Sequence, residues 1–224
     1  MRDFWGPVAT IVWKDLLLEF RTKDIVVSVL VFALLVVVIF NFALDPTPGV
    51  IGLVAPGVLW VAITFAGVLG LTRSLALEKD SGNLHALMVA PIGREAIFYG
   101  KMFANLVFML AVEAVVFPVF AILFNLPIVS VGLVPVAILA TLGIATVGTV
   151  FAAMAVNTRS REAMLPLLFF PVMVPVVVAA VEASGIVLRA ETGGALVQWI
   201  ALLGAFDAIF IVACPAAFNM VVEE

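Results

Sequence analysis

Six long apolar runs, at about 25–44, 50–72, 98–124, 131–156, 163–183 and 195–222, take up most of this 224-residue chain. Each is close to the ~20 residues that cross a bilayer as a helix. Inside lipid a backbone must satisfy its own polar groups, so runs of this kind fold as helices rather than as loops or open sheet. Composition agrees: 65% of residues are hydrophobic and 12% charged, with mean hydropathy +1.31, against roughly 45–50% and ~25% in soluble domains. The expected fold is an all-α integral membrane protein of six transmembrane helices forming one domain over residues 1–224. No stretch remains for a soluble catalytic domain.

The breaks between runs orient the chain. Of eleven Lys and Arg residues, ten fall on one side of the six-span threading and only Arg189 on the other. Cytoplasmic loops carry that excess, which predicts a multi-pass protein with both termini inside. The first run is longer than the 7–15 residues of a secretory signal core, so it reads as an uncleaved span. A net charge of −4, with its bases concentrated on one face, gives no sign of a nucleic-acid partner. Cys214 stands alone inside an apolar run and reads as a small core hydrophobe.

Residues 5–24 place Val8, Ile11, Val12, Leu16 and Phe20 at near-helical spacing among charges, as suits an amphipathic helix in the headgroup layer. Trp5, Trp13, Trp60 and Trp199 read as interface anchors. Asp45-Pro46-Thr47-Pro48-Gly49 ends the first span on the outer side. On the inner side, the segment 78–94 has Ser81-Gly82-Asn83 as a break and Leu84, Leu87 and Met88 on one helical face. Pro91 ends this short amphipathic element, and His85 within it reads as a contact residue. Pro166, Pro171 and Pro175 require the fifth span to kink unless neighbours satisfy the freed carbonyls. An outer loop is expected over 182–194. Thr141, Ala145, Thr149 and Ala153 recur every four residues, a small-residue face that lets another helix approach closely, in this chain or in a second copy.

The chain has no P-loop, no His-Glu-x-x-His, no Cys-x-x-Cys and a single histidine, so neither nucleotide hydrolysis nor a side-chain metal site is expected, and no catalytic residue is assigned. The intramembrane polar candidates are Asn105, Glu113 and Asp207. A carboxyl in mid-span is costly and marks either a transport path or a buried packing partner. An inner amphipathic helix on a protein without an engine suits docking of a soluble ATPase; covering the bundle floor is the plainer alternative.

The ordered run Arg73-x4-Glu78-Lys79-Asp80-Ser81-Gly82-x-Leu84-x2-Leu87-Met88-x2-Pro91, then Lys101-x3-Asn105 and Glu113-x4-Pro118, resembles the CcmB family. Lys14-Asp15-Leu16-x2-Glu19-x-Arg21 and the segment Leu165-Pro166-x4-Pro171-x3-Pro175 are similar too. That family supplies the permease subunit of the cytochrome c maturation ABC transporter. The resemblance implies an ABC-2 exporter-type permease in the bacterial inner membrane, with a coupling helix near 78–94. Glu78, Lys79, Asp80, Gly82, Leu84, Leu87, Met88, Pro91 and Arg94 would then meet the ATPase. It further implies a CcmA-like cytoplasmic ATPase carrying ATP and Mg, a second copy of this chain, a CcmC-like haem-handling protein, a CcmD-like small subunit and a CcmE-like haem chaperone, in surrounding membrane lipid. ATP hydrolysis would be linked to release of the haem-loaded chaperone. With no histidine on the outer side, haem ligation is not assigned to this chain and no cofactor of its own is expected. A permease for another substrate and a non-transporting scaffold are the alternatives.

Overall fold

The computed structural model describes residues 2–44, 48–80, 92–126, 132–156, 161–189 and 194–222, and these are entirely helical apart from short turns. The helices are α1 (Arg2–Thr22), α2 (Asp24–Ala43), α3 (Pro48–Asp80), α4 (Arg94–Leu123), α5 (Leu133–Val156), α6 (Arg161–Leu188) and α7 (Gly194–Val222). Helices α2 to α7 are each long and apolar enough to cross a membrane, as expected. The chain is a multi-pass membrane protein.

The centre of the bundle is α5, which packs on α3, α4, α6 and α7. Its composition explains the position. Ala140, Thr141, Ile144, Ala145, Thr146 and Thr149 are fully buried, and small side chains let four neighbours approach where lipid offers no hydrophobic drive to association. The small-residue face is thus filled within the chain. Helix α2 lies at the edge: Ile25, Val29, Ala33 and Val37, four residues apart, are buried, while Val27, Val31, Leu35 and Ile39 on the other face are exposed. That single buried stripe is what a lipid-facing helix needs.

Several boundaries differ from those expected. The interface helix stops at Thr22 rather than at 24, because Lys23 adopts a left-handed conformation (φ 58°) that turns the chain into α2. The Glu19 carboxylate then accepts from the Val26 amide at 2.7 Å and caps the new helix. The loop expected over 182–194 is shorter, since α6 continues to Leu188 with Glu182 exposed on it. Pro166, Pro171 and Pro175 lie inside α6 without interrupting it.

Candidate functional site

The bundle has two chemically different ends. At the basic end, α3 outlasts its apolar span: the span closes at Thr72 and the helix runs on to Asp80. Eight further residues carry it about 12 Å at 1.5 Å per residue. Glu78, Lys79 and Asp80 therefore belong to the tip of this helix, and Arg94 opens α4 as its first residue. Gly82, Leu84, Leu87, Met88 and Pro91 lie outside the described residues. The segment that joins the two tips is thus attached to two helices, each continuous with a span.

Beside these tips α1 is locked to α4. Lys101 is only 2% exposed, and its Nζ donates to Asp15 Oδ2 at 2.7 Å. Lys14 approaches the other oxygen, Oδ1, at 3.1 Å. The helices come so close because Gly100 faces α1: a Cβ on it would sit 2.8 Å from Ile11 Cβ. Tyr99, next in line, packs edge-on against Phe4 of α1 and donates its hydroxyl to the Ile211 carbonyl of α7. A charge pair this buried requires a compensating partner, and each helix supplies it to the other.

Sequence reasoning placed Lys101 only as an inner flank and missed the pair. A signal was present: Val8, Ile11 and Asp15 share a helical face, as do Ile97, Lys101 and Asn105. A charged residue on an apolar face is the mark of a buried partner.

In the membrane core the polar candidates do not converge. Asn105 donates from Nδ2 to Thr149 Oγ1 at 3.0 Å, and Thr141 Oγ1 donates to Glu113 Oε1. Asn105 and Glu113 are eight positions apart on α4, as are Thr141 and Thr149 on the antiparallel α5, so they form two rungs about 12 Å apart along the interface. Glu113 is 2% exposed, and its Oε2 has no hydrogen-bond partner among the described residues. It borders a cavity of about 230 Å³ whose walls are otherwise apolar, including Leu59, Phe117, Ala137 and Leu188. Asp207, on α7, stands apart from both. Its Oδ1 fills the space beside Gly143, 3.0 Å from where a Cβ would be, and its Oδ2 lacks a partner among the described residues.

Trp60 corrects the sequence reading. It is not an interface anchor but a core residue, 1% exposed, whose Nε1 donates to Ser184 Oγ at 2.8 Å. The anchor reading suits Trp5 and Trp13, which are 60% and 69% exposed on α1. Among the described residues no group of three or more His, Cys, Asp or Glu could hold a metal ion.

Residues 7–224 match the family model described as CcmB protein. The chain is 30% identical over 205 residues to Heme exporter protein B of Rhodobacter capsulatus, covering 91% of this chain and 93% of the relative. It is 30% identical to the Paracoccus denitrificans protein of the same name with the same coverage. Heme exporter protein B of Haemophilus influenzae is 28% identical over 199 residues, 87% of each chain.

Proposed function

The chain belongs to the CcmB family, and on that footing we propose that it is the membrane subunit of an ABC transporter serving haem delivery in cytochrome c maturation. Its basic end faces the cytoplasm of a bacterial inner membrane, with both termini inside. A separate CcmA-like ATPase docks there and supplies the work, and ATP hydrolysis is coupled to release of a haem-loaded chaperone at the opposite face. CcmC-like and CcmD-like subunits and a second copy of this chain complete the assembly.

The observation that carries this reading is the attachment of the segment between Asp80 and Arg94 to two uninterrupted helices. Force applied to that segment is passed to α3 and α4, each continuous with a span. The Asp15 and Lys101 pair makes α1 move with α4 rather than slide over it. Leu84, Leu87 and Met88 supply the apolar face for a cleft in the ATPase. Glu78, Lys79, Asp80 and Arg94 supply its polar rim. The test is co-purification of the ATPase with Leu84→Asp and Leu87→Asp chains. Loss of binding is expected, and undiminished binding would refute the docking assignment. Chaperone release should also fail with a hydrolysis-dead ATPase.

One observation favours a second reading, a permease with its own path: Glu113 Oε2 has no hydrogen-bond partner among the described residues and lies beside a cavity. Under that reading Glu113→Gln abolishes transport while the complex still assembles.

A further inference from the structure

A proline inside a helix has no N–H to give the carbonyl four residues before it. In hydrocarbon there is no water to take its place, so that carbonyl needs a donor from a neighbour. Helix α7 shows how this chain meets the need. Pro215 deprives the Ile211 carbonyl of its helical donor, and the Tyr99 hydroxyl of α4 donates to that same carbonyl at 3.1 Å.

On α6 the need is not met from within the chain. Pro171 and Pro175 deprive the carbonyls of Leu167 and Pro171, one turn apart in the inner half of the span. Leu167, Pro171, Val174, Pro175 and Val178 form one exposed face, with Leu167 70% exposed, so no other described helix lies over it. Among the described residues no side chain donates to either carbonyl. Glu182 is exposed on the same face, eleven residues beyond Pro171 and six short of Leu188, or about 9 Å from the outer end of the helix. It has no ion pair or hydrogen bond among the described residues.

This face of α6 therefore holds three acceptors and no side-chain donor. The exposed face of α2 is different: Val27, Val31, Leu35 and Ile39 stand on a helix without proline, and lipid alone suits it. Acyl chains carry no donor and would leave the α6 carbonyls bare. The same face of a second copy would add acceptors, and the one base that the threading puts on the outer side, Arg189, is already engaged within this chain. We propose that the exposed face of α6 docks a transmembrane helix of a different protein. That helix carries a Lys or Arg at the outer surface, opposite Glu182, and Ser, Thr, Asn or Gln side chains about 16–22 Å deeper, opposite the two carbonyls. Side chains of this kind hydrogen-bond across helices in membranes.

A spin label at Val178→Cys, in a Cys214→Ser background, tests the proposal in two settings. One is the chain alone in vesicles of phosphatidylethanolamine and phosphatidylglycerol, the other the complex isolated from native membranes in the same vesicles. Alone, the label should be open to oxygen dissolved in the bilayer. In the complex it should be closed to oxygen and to a water-soluble nickel chelate, with no dipolar broadening between copies. Pro171→Ala with Pro175→Ala returns an amide to each carbonyl and should weaken the association about fivefold, as two interhelical hydrogen bonds are worth, read as the fraction of label reopened to oxygen. Glu182→Lys should reopen the label by setting like charges together, and decides the matter if the proline variants do not fold. Oxygen access kept in the complex would mean a lipid cover, nickel access a hydrated cleft, and broadening a second copy. Each would overturn the proposal, as would a label still closed in Glu182→Lys. The readout involves neither ATP nor haem, so its failure leaves the ATPase docking untouched.

Discussion

Replacing Lys101 with Met takes one half of a buried charge pair away and keeps the side chain's length. Asp15, whose side chain is 14% exposed, then loses the Nζ at 2.7 Å and keeps Lys14 at 3.1 Å, itself 35% exposed. Breaking a fully buried pair costs about 3–5 kcal/mol. The surviving neighbour and the partial exposure bring this case to about 2–3 kcal/mol. Asp15→Asn takes the carboxylate from beside a lysine that is 2% exposed and should cost at least as much. The double variant removes both charges together, so its loss should fall well short of the sum, with a coupling energy of about 1–3 kcal/mol. Thermal unfolding of the four proteins in one detergent reads the cycle. Chymotryptic cleavage after Trp13 or Phe20 should rise in the single variants as α1 lifts from α4. Additive losses, or singles as stable as the parent, would refute the idea that this pair fastens the interface helix to the bundle.

Gly100→Ala should act on the same joint from the other side. Its Cβ would meet the Ile11 Cβ rather than a movable chain end, so about 1–3 kcal/mol of overpacking is expected, and Ile11→Ala should relieve part of it. Trp60→Phe should cost about 1–3 kcal/mol by leaving the buried Ser184 hydroxyl unpaired, and Ser184→Ala placed on top should recover part of that loss. Thr141→Val and Thr149→Val each remove one rung between α4 and α5. Being two turns apart, they should destabilise additively within about 0.5 kcal/mol in thermal unfolding.

The sequence disclosed the elements that hydropathy controls. Six spans follow from six apolar runs, but the edge position of α2 does not, because its buried and exposed faces are equally apolar and only packing tells them apart. What it left hidden depends on which faces meet. The partner of Lys101 lies 86 positions away, and no local pattern pairs it with Asp15. Trp60 was legible as amphipathic but not as central, because its acceptor Ser184 sits on the turn of α6 that the sequence assigns to a loop. Gly185 and Ser184 look like loop residues, yet in a membrane helix small and polar residues pack against neighbours as readily as they end the helix. Asn105 and Glu113 were recognisable as buried polar groups. Their separate threonine partners became evident only from the antiparallel register of α4 and α5.

The account centres on work entering through the tips of α3 and α4. Spin labels at Asp80→Cys and Glu95→Cys, in a Cys214→Ser background, report the separation of those tips in the assembled complex. Trapping the partner ATPase with bound ATP should shift that distance by several ångström relative to the nucleotide-free complex, and the shift should vanish with Leu84→Asp. An identical distance distribution in both nucleotide states would contradict the coupling role.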